Sequence, residues 1–168
     1  MRCSPESMPA TPPEPIDAEG PGALAHYRAL ESLYAAAPIN QLFKSRLEIT
    51  GRGTARIHFE VDEQVFHAAG AAHGTIYFKM LDDAAFYAAN SRVTDRFLLT
   101  TAFNLLLTRP LPAGPVVAEG RWISGERRVM VAESSLIDAN GEIAARGTGT
   151  FMRSRIPLAG LPGYRIPA

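Results

Sequence analysis

The sequence predicts an α+β fold in which a curved antiparallel sheet wraps around one long helix, and three observations lead there. Residues 74–90, GTIYFKMLDDAAFYAAN, are apolar at nearly every position, with clear polar breaks only at Thr75, Lys79, Asp82, Asp83 and Asn90. A helix that is apolar on most sides must be covered on most sides. Two strand-like runs precede it and four long ones follow, so a sheet folded around the helix is the economical way to bury it.

The elements follow in chain order. Met1 to Pro21 is rich in Pro, Glu and Ser and has no hydrophobic period, which predicts a disordered or extended leader. From Gly22 to Ala37, Leu24, Tyr27, Leu30, Leu33 and Tyr34 recur at helical spacing, giving an amphipathic helix that Pro38 ends. Leu42 to Ile49 and Thr54 to Val61 read as strands around Gly51-Arg52-Gly53. In the second, Ala55, Ile57, Phe59 and Val61 alternate with Arg56, His58 and Glu60, which leaves His58 on the solvated face. After the central helix, Phe97 to Thr108, Val116 to Ser124, Arg128 to Ile137 and Glu142 to Arg153 are strand-like. Pro110 to Pro115 is a loop, Gly125-Glu126 a tight turn and Asn140-Gly141 a hairpin signal, so the four predict an antiparallel meander. Ile156 to Ala168, broken by Pro157, Pro162, Gly163 and Pro167, predicts an extended surface tail. The organisation is thus a leader (1–21), one domain with its N-terminal helix (22–155) and a tail (156–168).

Bulk chemistry narrows the function classes. The 168 residues are 46% hydrophobic and 20% charged, the balance of one domain with a real core. Seventeen basic residues against seventeen acidic ones give no net charge, so nucleic acid and membrane surfaces gain no support as partners. No apolar run approaches the roughly 18 residues of a membrane span, and the first residues lack the apolar core of a signal peptide. Cys3 is the only cysteine, which rules out an intramolecular disulfide or a Cys-based zinc site and fits a reducing, cytoplasmic setting. His26, His58, His67 and His73 contain one close pair and no third ligand, so no metal is expected. Ser134 and Ser135 lie in a strand without a nucleophile-elbow context. Gly147 to Thr150 is too short for a phosphate loop and reads as a strand passing close to a neighbour.

The central stretch carries the chemistry. A carboxylate in an apolar helix costs free energy unless it is paired or used. Asp83 has a partner four residues back in Lys79, whereas Asp82 has no obvious cation on its own helix. At the start of the helix, His73-Gly74 follows a Gly/Ala loop, and a missing side chain at Gly74 lets a ligand approach free amides and the positive dipole end. Asp82 lies eight residues on, about 12 Å along the axis, too far to act on the same carbonyl within one chain. If both act, two antiparallel helices must bring Asp82 of one chain to Gly74 of another, which predicts a homodimer with interfacial sites.

The His73-Gly74 pair, Asp82 nine residues after His73, the following FYAANS and the order of elements resemble the PaaI-like acyl-CoA thioesterases of the hotdog fold. Their pattern is HGG, a central helix bearing Asp or Glu, and a meander of long strands, matched here over roughly Ile39 to Arg153. The resemblance implies hydrolysis of an acyl- or aroyl-CoA to the free acid and CoA, with coenzyme A present only as part of the substrate and no separate cofactor. It implies self-association as a homodimer or dimer of dimers.

Residue by residue, Asp82 matches the catalytic carboxylate, acting as nucleophile or as general base for water. His73 matches the motif histidine, and Gly74 the amide that polarises the thioester carbonyl. Thr100 falls near a position where some members carry a Ser or Thr that positions water or carboxylate. Ser124-Gly125-Glu126-Arg127-Arg128 falls where relatives contact CoA, with Gly125, Arg127 and Arg128, together with Thr75 at the helix start, as substrate-binding candidates, although arginines in an exposed hairpin are more often simply solvated. Two departures stand out: Thr75 replaces the second glycine of HGG, and His67 occupies the place often held by a catalytic Asn. A histidine can donate the same hydrogen bond; a loop histidine without a catalytic role fits equally well. Phe66, Phe86 and Tyr87 are candidates for an acyl pocket or for ordinary core. A non-catalytic acyl-CoA-binding protein and a hotdog hydratase or dehydratase are the rival functions.

Overall fold

The computed structural model describes residues 21–166, so the predicted leader, apart from Pro21, and the last two residues lie outside it. Two helices open the chain: α1 (Pro21–Ala36) and α2 (Pro38–Phe43). The strand expected from Leu42 is instead helix as far as Phe43. Pro38 does end α1, but it also starts α2, because a proline at the first helical position forfeits no internal hydrogen bond. The first strand therefore begins only at Arg46.

Strands β1 (Arg46–Gly51) and β2 (Thr54–Val61) form a hairpin, and a single 3-10 turn leads to the central helix α3 (Gly74–Asn90). Strands β3 (Arg96–Leu107), β4 (Gly114–Ser124), β5 (Val129–Ile137) and β6 (Ile143–Pro157) complete one antiparallel six-stranded sheet in the order β1-β2-β4-β5-β6-β3. Only β4-β5-β6 is a meander. The predicted pairing of β3 with β4 is wrong, since β3 runs along the far side of β6 and the Pro110–Pro115 loop carries the chain across to β2.

Helix α3 touches every strand of the sheet. Ile76, Tyr77, Met80, Leu81, Ala84, Ala85 and Phe86 are buried, as their spacing predicts, but Phe78 is 43% exposed and sits edge-on to Phe103 of β3. The helix lies close to β4 because position 120 is glycine: a Cβ there would stand 2.0 Å from the carbonyl oxygen of Ala84. Gly147 and Gly149 give room in the same way to the Phe103 ring, which is the close neighbour that the GTGT run implied. Buried Asn90 then ties the end of α3 to β3, accepting from the Leu98 amide at 3.1 Å and donating to the carbonyls of Val93 and Arg96.

The two sheet edges are treated differently. At β1, Glu31 of α1 accepts a hydrogen bond from the Ile49 amide at 2.8 Å, so the helix blocks that edge. Along β3, no described strand pairs with the outer edge, and Leu99, Leu106 and Leu107 are exposed. The outer sheet face is polar, with Arg56 against Glu119 at 2.9 Å and Arg121 against Glu133. His58 lies there, bonded to Glu48 at 2.9 Å. The tail departs from its extended prediction: after Pro157 the chain turns back, and Leu158 and Tyr164 are buried, the Tyr164 hydroxyl donating to Nδ1 of His26 at 2.7 Å.

Candidate active site

The residues singled out above fall into two groups on one chain. At the start of α3, His73 is the N-cap, its Nδ1 accepting from the Thr75 amide at 3.2 Å and lying 3.0 Å from the Thr75 hydroxyl. The Ile76 amide bonds to the His73 carbonyl, which leaves Gly74 with the first uncommitted amide of the helix. A Cβ at Gly74 would meet nothing closer than Leu107 at 3.9 Å, so the chain itself does not demand glycine there. His67 lines the same cleft, with Gly74, Tyr77, Leu107 and Arg109. Its Nδ1 accepts from the Ala69 amide at 3.0 Å. Both histidines thus commit Nδ1 as an acceptor, which places the neutral ring's proton on Nε2 and makes each a donor.

Two turns further along α3 stands the carboxylate. Asp82 accepts from the Thr100 hydroxyl at 3.0 and 3.4 Å and lines a cleft of about 290 Å³ with Ala37, Ile39, Phe86, Tyr87, Phe97 and Leu99. Burial among these groups pushes its carboxyl up to about 6, against a smaller lowering by the Thr100 bond. A group near that value is a carboxylate at neutral pH with appreciable basicity, suited to abstract a proton from water or to attack a carbonyl. Asp83 is different: it is ion-paired to Lys79 and accepts from the Tyr34 hydroxyl at 3.0 Å, while Lys79 donates to Asn40 Oδ1 at 2.6 Å. Desolvation still raises its carboxyl, but its Oδ2 is shared by the Lys79 ammonium and the Tyr34 hydroxyl.

Thr100 shares the inward face of buried Leu98, and an irregularity in β3 then brings Phe103 to that face as well. The register of β3 against β6 shifts between Thr100 and Ala102, leaving Thr101 unpaired in the ladder and bonded to Thr150 through its hydroxyl. The bulge reverses the alternation, so that both Thr100, opposite Phe151, and Phe103, opposite Gly149, face α3.

The structure does not unite the whole set within one chain. Eight helical residues separate Gly74 from Asp82, about 12 Å along an unbroken α3. Gly125, Arg127 and Arg128 are exposed in the β4–β5 hairpin. That hairpin lies at the opposite end of α3 from Gly74: Glu126 pairs at 2.6 Å with Arg92, just past the helix. Phe66 lies on the 62–73 connection in a bridge to Ala72, away from the carboxylate cleft that holds Phe86 and Tyr87. The sequence reading missed Tyr34, Ala37, Ile39 and Asn40, which α1 and α2 bring over α3, and Arg109 beside Gly74. Nothing local in the sequence signals these long-range contacts.

Residues 69–145 match the family model of the thioesterase superfamily. A provisionally named esterase of Saccharolobus solfataricus is 25% identical over 129 residues, covering 71% of this chain and 86% of that protein. One of Sulfurisphaera tokodaii is 27% identical over 107 residues, covering 64% and 80%. Among solved structures, the E. coli PaaI protein from the phenylacetic acid degradation operon superposes with a TM-score of 0.74 at 18% identity, over 80% of this chain and 97% of that one. A variant of the phenylacetic acid degradation protein PaaI from Thermus thermophilus gives 0.64 at 24% identity, over 70% and 100%. The fold is therefore the hotdog fold.

Proposed function

We propose that this hotdog-fold chain, whose residues 69–145 match the thioesterase superfamily model, hydrolyses an acyl- or aroyl-CoA thioester at sites shared between two copies. The observation that carries this reading is the division of the site: a donor half (Gly74, His73, His67) and a carboxylate half (Asp82, Thr100) lie too far apart on one helix to meet on one carbonyl. The open β3 edge with Leu99, Leu106 and Leu107 supplies a surface on which a second copy can continue the sheet. With two α3 helices antiparallel, each donor half faces the other chain's carboxylate half.

In this reading the Gly74 amide and the helix dipole polarise the thioester carbonyl, and His67 and His73 donate from Nε2 to orient it. Asp82 then either attacks the carbonyl carbon, expelling the CoA thiolate to leave an acyl–Asp82 anhydride that water hydrolyses to the free acid and the carboxylate, or takes a proton from a water that attacks the carbonyl carbon, the C–S bond breaking and the proton passing to the departing thiolate. Thr100 fixes the carboxylate. Thr75 keeps its side chain on His73, so the loss of the second glycine is taken up by a second bond to the N-cap. Arg127 and Arg128 retain a role only if the partner chain brings the hairpin near the CoA phosphates. A non-catalytic acyl-CoA-binding protein is disfavoured by the basicity of Asp82, which binding alone does not require.

A panel of acyl- and aroyl-CoA esters assayed for free thiol release, with wild type beside Asp82→Asn, tests the proposal. Turnover of at least one ester by wild type and its loss by orders of magnitude in the variant is the expected result. Equal rates would remove Asp82 from the chemistry, and enoyl-CoA hydration without thiol release would favour the hydratase class.

A further inference from the structure

The cleft that holds Asp82 is closed at one side by residues outside the sheet and its central helix. Ala37 and Ile39 belong to the elbow between α1 and α2, and they face Phe86, Tyr87, Phe97 and Leu99 across the cleft. Ile39, a large side chain, is 50% exposed among the described residues. The elbow is firmly set. Ala37 is extended at φ −70°, ψ 127°, Pro38 fixes the first turn of α2, and the amides of Asn40 and Gln41 both bond to the Ala37 carbonyl. Buried Asn40 also donates to the Tyr34 carbonyl at 2.8 Å and accepts from Lys79 at 2.6 Å. Lys79 stands one turn before Asp83 on α3, so the elbow is referenced to the helix that carries the carboxylate.

The one cation beside this cleft among the described residues is already paired. Asn40 uses its amide on Tyr34 and Lys79, Asp83 accepts from Lys79 and Tyr34 through Oδ2, and the positive charge of Lys79 is neutralised by Asp83. What remains beside Asp82 and Thr100 is an apolar wall. An acyl group that carries its own carboxylate would find no free cation among the described residues there and would face Asp82 as a like charge.

We propose that the α1–α2 elbow, through Ala37 and above all Ile39, is the end wall of the acyl subsite and selects uncharged acyl groups by length and bulk. The inference rests on the thioesterase reading for the identity of the ligand. The elbow does not touch the reacting atoms; it limits how far the acyl group extends once its carbonyl lies by Asp82.

The test compares wild type, Ile39→Ala and Ile39→Trp, with Ala37→Leu as a second way to fill the cleft. kcat/KM is measured for straight-chain acyl-CoAs from acetyl to dodecanoyl, for phenylacetyl-CoA and for succinyl-CoA. Kd values for the same esters are measured by calorimetry in an Asp82→Asn background. Ile39→Ala should move the preferred acyl length upward, and Ile39→Trp and Ala37→Leu downward, each changing the long-to-short ratio by about 10-fold or more, as one or two methylenes in an apolar pocket dictate. Succinyl-CoA should remain poor throughout. Unchanged ratios, or one uniform loss across all esters in folded variants, would overturn the elbow's role while leaving hydrolysis intact. A shift in Kd preference without turnover by wild type would instead uphold the elbow and refute the thioesterase reading. Absence of both binding and turnover would refute both.

Discussion

Replacing Asp82 by asparagine should make the protein more stable and nearly inactive at once. Asparagine keeps an oxygen for the Thr100 hydroxyl, 3.0 Å away, and removes only the charge. Burial raises the Asp82 carboxyl from 3.8 to about 6, so the charged form is disfavoured in the folded protein by roughly 3 kcal/mol relative to the unfolded chain, at 1.36 kcal/mol per pH unit. Because the folded value lies above the unfolded one, the cost is full above pH 6, shrinks as pH falls from 6 to 3.8, and is absent below. Thermal unfolding of wild type and Asp82→Asn at fixed protein concentration should show the variant higher by on the order of 5–10 °C at pH 8, with the two converging near pH 4. In parallel, wild-type kcat/KM should fall as pH drops through about 6, where the base is protonated. A variant that melts lower than wild type at pH 8, or a difference that persists unchanged at pH 4, would refute the account of Asp82 as an unpaired, desolvated carboxylate.

Other perturbations follow from the same geometry. Thr100→Val removes the bond that holds the Asp82 carboxyl down, so the acid limb of kcat/KM should move upward by about one pH unit; an unmoved limb would detach Thr100 from the reacting group. Lys79→Met leaves Asp83 charged with only Tyr34 for company, and urea unfolding at pH 8 should show a loss of about 3 kcal/mol that a second change, Asp83→Asn, largely restores. Leu106→Glu puts a charge on the open sheet edge, where Leu106 is 62% exposed. Sedimentation should then show monomers and the activity should disappear with the dimer, whereas a fully active monomer would contradict sites shared between chains.

Much of this site was legible in the sequence because its signals are local. The apolar run around Asp82, the i,i+4 partner of Asp83, and the small residue after His73 all lie within one helix and its cap, and α3 holds them where its period requires. Strand periodicity served as well where strands are regular: in β2, Ala55, Ile57, Phe59 and Val61 are all buried. It failed at β3, since pairing with β6 rather than β4 depends on a connection that local turn signals do not specify. It failed also at Pro38, whose two roles, ending one helix and starting the next, look alike from residue type. The network of Tyr34, Asn40 and Lys79 joins three separate elements, and only the folded chain reveals it.

The bulge at Thr101 gives β3 a property that no substitution experiment on Thr100 would reveal. A strand has a phase, and here the carboxylate half of the candidate site depends on a half-period slip: Thr100 and Phe103 are three residues apart, yet both look toward α3. Deleting one residue anywhere from Thr101 to Ala102 would restore a regular phase and turn one of them outward, either stripping Asp82 of its hydrogen bond or emptying the space that Gly147 and Gly149 leave for a ring. The length of this segment is therefore constrained more tightly than its composition, and a comparison of relatives should look there for missing residues before it looks for changed ones.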